Sequence, residues 1–224
     1  MIITTLAVEW FSGSPDEVAP EARCIDAFAE ECTEPSRDVY AKYSDSGCNQ
    51  TQAHVCIVPI GLVSLDLIER LKLVVEQETT GTVVVASPMW LWQDDYNPVR
   101  RQFDVRALAL KMRDRHFGGY LPKGTLVLGV TNVDLYDSGT EEWRFTFGLR
   151  TTLAAGNVMA IISNHRFHTS SAELSLERTL KMARKYVGIH FLGMEPSMDP
   201  SSALYDHIRS VRDLDRMSEN LPVE

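Results

Sequence analysis

From residue 54 onward, unbroken apolar runs alternate with stretches in which apolar residues recur every three or four positions. AHVCIVPIG is an apolar, β-branched run closed by Pro and Gly, and it predicts a buried strand. SLDLIERLKLVVEQET puts Leu65, Ile68, Leu71 and Val75 on one helical face, with Ser64 as N-cap. GTVVVASP predicts a second buried strand, and TLVLGVTNVDLY a third that ends in an acidic turn. Between them, YNPVRRQFDVRALALKMRDR reads as a turn running into a helix. EEWRFTFGLR and NVMAIISNHRF predict two further strands. In SAELSLERTLKMARKYVGIHFLG, Leu176, Leu180, Ala183, Val187 and His190 recur at helical spacing. MEPSMDPSSALYDHIRSVRDLDRM predicts two turns and a short helix. Residues 1–52 form a loop-rich extension with one helix over SPDEVAPEARCIDAFAEEC and a linker at YSDSGCNQTQ; residues 53–224 form the domain. Alternating elements, then clustered strands, then a closing helix give an α/β or α+β sandwich with a mixed sheet.

Composition narrows the function classes. The 224 residues carry a formal charge of −9, which offers no electrostatic attraction to nucleic acid or anionic membranes. No run approaches the roughly 18–20 apolar residues of a membrane span, and MIITTLAVEWFSG lacks a basic leader. A cytoplasmic protein is expected. The four cysteines, Cys24, Cys32, Cys48 and Cys56, include no CxxC pair, so reduced thiols are expected, with Cys56 a core residue. Phosphate-loop, dinucleotide and nucleophile-elbow glycine patterns do not occur. Asp94 and Asp95 read as a solvated turn, Asp134 as a turn residue at a strand end, and Arg100 and Arg101 as structural salt-bridge partners.

Several pieces in order, YNPVRRQF, LGVTNVDLY, the FGL of FTFGLR, AIISNHRF, LERTLKMARKYVGIHFLG and DLDRM, resemble the archaemetzincins, a metzincin branch of the zinc metallopeptidases. They span roughly residues 55–218. The resemblance implies a mixed sheet packed on long helices, with the active-site helix near the C-terminus. AIISNHRF would be the edge strand along the cleft, and the chain would turn at Gly193 to pass under a metal. The family's helix carries HExxHxxGxxH, and this chain departs from it. Tyr186 stands for the first histidine, Val187 for the glutamate and Pro196 for the third histidine; His190 and Gly193 are kept. The methionine-turn position falls near Leu204 or Tyr205. The missing glutamate is the base that takes a proton from metal-bound water, and valine cannot do so.

The remaining histidines admit three readings. One is a buried histidine bonded to backbone. Another is a rebuilt metal site of His190, Glu195 and His207, with His165 and His168 in reserve. Two histidines and a carboxylate suit non-haem Fe(II) and also zinc. Without a base, oxygen-dependent chemistry on a small molecule is favoured over hydrolysis, with Tyr186 and Glu195 as catalytic groups and Asn164, His165 and Tyr205 toward the substrate; an unusual zinc hydrolase with Glu195 or Tyr186 as base is the alternative. The third reading is an inactive metzincin-like protein that holds a peptide by strand addition.

Overall fold

The computed structural model describes residues 48, 54–80, 83–117, 121–140, 142–153, 156–168 and 171–222. The helix expected over SPDEVAPEARCIDAFAEEC lies outside them, as do Cys24 and Cys32. In chain order the elements are β1 (Val55–Ile60), α1 (Leu65–Thr79), β2 (Val83–Val85), β3 (Tyr96–Asn97), β4 (Gln102–Asp104), α2 (Val105–Phe117), β5 (Leu126–Thr131), β6 (Leu135–Tyr136), β7 (Gly148–Thr152), β8 (Val158–Ser163), α3 (Ala172–His190) and α4 (Val211–Arg216).

The main sheet runs β2-β1-β5-β8-β7. Its first four strands are parallel and β7 is antiparallel to β8. β1, β5 and most of β8 are buried throughout, which is why they read as continuous apolar runs rather than alternating ones. Alternate residues feed two cores. Val55, Ile57, Leu126, Leu128, Ala160 and Ile162 meet α1 and α3 on one face. Cys56, Val58, Val127, Met159 and Ile161 meet α2 and the small sheet β3-β4-β6 on the other.

Four expectations are corrected. AIISNHRF is not the edge strand: β8 lies between β5 and β7, and β7, from FGLR, is the last strand of the sheet among the described residues. Of EEWRFTFGLR only residues 148–150 are strand, and β7 runs on to Thr152; the Thr146 hydroxyl donates to the Gly148 carbonyl and accepts from its N–H (2.6 and 3.2 Å). Cys56 is in the core as expected, but it is disulfide-bonded to Cys48, with Cα atoms 5.5 Å apart, so this pair is not a pair of reduced thiols. Asp95 is also not solvated. It is buried, and both its oxygens accept from Lys111 Nζ at 2.8 Å, while the same ammonium lies 4.6 Å over the Trp92 ring.

α3 starts at Ser171, whose hydroxyl accepts from Leu174 N, and it buries an unusual number of cations. Arg178 forks onto Asp215 of α4 (2.7 and 2.9 Å) and donates to the Phe167 carbonyl (3.1 Å). Arg184 reaches Glu78 of α1 at 2.9 Å. These contacts set where the helix sits and therefore where its C-terminal end points. Arg178→Ala removes the charged fork onto Asp215 and unpins α4, while the Phe167 carbonyl keeps the Ser175 hydroxyl at 2.8 Å, so it should cost about 2 kcal/mol of stability, read from the urea midpoint. Arg212→Ala, on the exposed side of α4, should leave that midpoint unchanged.

Candidate functional site

The edge strand β7 meets the C-terminal end of α3 through Gly148 and Arg150. Leu149 packs into the α2-side core, so the pleat turns Gly148, Arg150 and Thr152 toward the α3 side. At Gly148 a Cβ would overlap the Ile161 carbonyl oxygen and lie 3.3 Å from the Tyr186 hydroxyl. Glycine therefore lets the strand settle onto the phenol. Two residues on, the Arg150 guanidinium meets His190, with Nη1 to Nε2 at 3.4 Å. Arginine has no acceptor, so Nε2 must accept and the imidazole proton sits on Nδ1. The Tyr186 and His190 rings, one turn apart, are inclined by 26° with centroids 6.1 Å apart.

The segment after α3 closes the floor. The chain turns at Gly193 in the left-handed region (φ 73°). It then doubles back: Ser197 N donates to Leu204 O (2.9 Å), and Asp206 N donates to Ser197 O (3.0 Å). Leu204 is buried directly under Gly188, where an added Cβ would be only 2.6 Å from its Cδ2. Lys185 pins this segment through Asp206, donating to its carbonyl at 3.2 Å and pairing with Oδ1 at 3.0 Å.

The charges set the protonation states. Burial, then Arg150 and Lys185, bring His190 down to about 4, against the opposing pull of Asp206. Burial pushes Tyr186 up to about 12, so its phenol is protonated at neutral pH. Burial lowers Lys185, with Asp206 opposing. Burial alone would raise Asp206, but Lys185, Arg150 and His207 hold it below the usual carboxylate range. At neutral pH Lys185 and Asp206 offset one another, His190 and Tyr186 are neutral, and Arg150 leaves the centre with one excess positive charge.

A metal does not fit these residues. Among the described residues no three His, Cys, Asp or Glu side chains are grouped so as to hold a metal ion, so His190, Glu195 and His207 do not form the expected ligand set. The reason is visible at each position. His190 turns its free lone pair to a guanidinium. Glu195 is exposed on the turn. His207 is exposed, 6.3 Å ring to ring from Tyr205. A divalent cation in front of His190 would meet Arg150; unit charges about 4 Å apart repel by roughly 4 kcal/mol at an effective dielectric near 20, and a divalent ion by twice that before solvent screening.

The other expected residues lie elsewhere. His165 sits in a 3-10 turn after β8, its Nδ1 at 3.1 Å from the Asn132 carbonyl, and it faces His168 at 6.5 Å. Asn164 belongs to the same turn, and its buried Oδ1 has no hydrogen-bond partner among the described residues. Tyr205 is half-buried against the α3-side core. Asp134 has a larger role than a turn: Arg166 forks onto it (2.7 and 2.6 Å) and Gln102 donates to it (3.0 Å). Arg150, Lys185 and Gly148 were missed. The period-two pattern of GLRT carries the signal for Arg150, but it is usable only once β7 is known to be the edge.

His190 should titrate near 4 in an NMR titration of its imidazole carbons. Arg150→Ala should raise that value without restoring it to 6.5, since burial and Lys185 remain. The folded value lies below the unfolded one. The contribution to stability is therefore complete above about pH 6.5 and lost as pH falls through 6.5 toward 4, where the unfolded chain binds the extra proton.

No family model matches the chain. It is 30% identical over 166 residues to the archaemetzincin of Pyrococcus furiosus, covering 67% of this chain and 79% of that protein. It is 32% identical over 121 residues to the archaemetzincin of Archaeoglobus fulgidus, covering 54% and 64%. Among solved structures, the archaemetzincin of Methanopyrus kandleri superposes with a TM-score of 0.59 at 28% identity, covering 76% of this chain and 89% of that one. The Archaeoglobus fulgidus protein complexed with malonate gives 0.57 at 26% identity, covering 75% and 95%. With the mixed sheet packed on its helices in place, the chain belongs to the archaemetzincin family.

Proposed function

We propose that this chain is a catalytically inactive, metzincin-derived binding protein that holds an extended peptide along β7. Residues 53–224 are the binding domain and residues 1–52 an N-terminal extension. The observation that carries the reading is the guanidinium of Arg150 placed against His190 Nε2, where a metallopeptidase needs a metal and a base. Val187 supplies no proton acceptor. The neutral, buried Tyr186 phenol is a poor base at neutral pH. The displaced reading is the metal-dependent one, with Fe(II) or zinc on His190, Glu195 and His207 and a small-molecule substrate near Asn164, His165 and Tyr205.

The edge itself supports strand addition. Phe147 O accepts from Ser163 N at 2.8 Å, so Phe147–Ser163 is a hydrogen-bonded pair of the antiparallel ladder. By alternation the same holds for Leu149–Ile161 and Thr151–Met159, and the backbone groups of Gly148, Arg150 and Thr152 point away from the sheet. Gly148 is occupied by Thr146 Oγ1, which leaves Arg150 and Thr152 to receive a ligand's backbone.

Elemental analysis after loading with Fe(II) and with zinc, alongside amide NMR with a peptide library, tests this. Sub-stoichiometric metal with peptide-dependent shifts at the Arg150 and Thr152 amides is the expected result. About one equivalent of either metal, lost in His190→Ala, would overturn the proposal in favour of a metalloenzyme.

A further inference from the structure

We infer that the peptide received by this edge carries an acidic side chain, aspartate or glutamate, directly opposite Arg150. The inference rests on the binding reading above and names the ligand's chemistry at that same site.

Pairing across the open side of β7 can use only Arg150 and Thr152, because Gly148 spends its N–H and C=O on the Thr146 hydroxyl. The register is therefore short and defined. In an antiparallel pair, directly opposed residues place their Cβ atoms about 5 Å apart on the same face of the sheet. Arg150 points to the α3 side, so the residue opposite it points into the cleft beside the guanidinium. The residue two positions earlier in the peptide lies opposite Thr152.

The charge inside the cleft then selects that side chain. The Lys185 ammonium is matched by the Asp206 carboxylate at 3.0 Å. Tyr186 and His190 are neutral. Arg150 has five N–H donors and gives one to His190, which leaves a fork for a carboxylate. Contact with His190 restrains that fork before a ligand arrives. A lysine opposite Arg150 is repelled, and a neutral glutamine accepts hydrogen bonds without meeting the charge. Gly148 contributes by having no side chain: the wall next to Arg150 is the flat Tyr186 phenol, and the carboxylate has room to reach the guanidinium.

The probes are three pools of acetyl- and amide-capped heptapeptides with Val, Thr, Ser and Tyr at the flanking positions and Glu, Gln or Lys fixed at the centre. Fluorescence anisotropy gives the affinities, and amide NMR reports whether Arg150 and Thr152 are engaged. For the native protein the Glu pool should bind about fivefold tighter than the Gln pool, the upper end for a cross-strand charge pair. Arg150→Gln should erase that preference, and Arg150→Glu should turn it toward the Lys pool. Equal binding of the Glu and Gln pools, with the β7 amides shifted by both, would overturn the acidic anchor and leave the peptide-binding reading standing. Absence of β7 shifts with every pool would overturn both.

Discussion

The cleft depends on a single lone pair. His190 has one acceptor nitrogen in its neutral form, and the Arg150 guanidinium takes it. An imidazole that accepts from arginine does not simultaneously donate to a metal. The contact also fixes the tautomer; burial first, and then the Arg150 charge, hold the imidazole neutral. What stands beside the ring is an organic cation. The surrounding backbone depends on other residues: Gly148 lets the strand approach, Gly193 lets the chain turn, and Leu204 packs under Gly188.

α3 makes this geometry reproducible. A helix buried on several sides ordinarily presents only apolar groups, yet this one buries Arg178, Lys181 and Lys185. Each cation is tied to a different partner: Arg178 to α4, Lys181 to Glu177 one turn back, and Lys185 to Asp206 of the returning segment. Burying an unpaired charge is prohibitive, so each pair imposes a position on its partner. The helix thus orients the turn, α4 and the cleft floor together. Lys185–Asp206 does so beside the site without adding net charge to it.

Periodicity made much of the fold legible. β1, β5 and β8 announce themselves as apolar runs because both faces are covered, and α1 and α3 show their apolar stripes. The resemblance of LERTLKMARKYVGIHFLG to a metal helix without its first histidine and glutamate gave the family and the loss of the base. Asp95 and the Cys48–Cys56 pair were not legible in the same way. A buried carboxylate looks like a solvated one until Lys111 is brought over from α2, and a disulfide needs two Cα atoms placed in space.

The sequence alone determined the buried strands β1, β5 and β8, the helices α1 and α3 and a valine at position 187, because each is a property of residue type and local spacing; the family fold came from the resemblance of the ordered pieces. Only the tertiary structure decided that β7 rather than β8 forms the rim, since strand order is set by which runs pair and not by what they contain. It also decided that His190 faces Arg150 instead of Glu195 and His207. Those two residues are 40 positions apart, and nothing local to either one records that the pleat of an edge strand and the last turn of a helix bring them together.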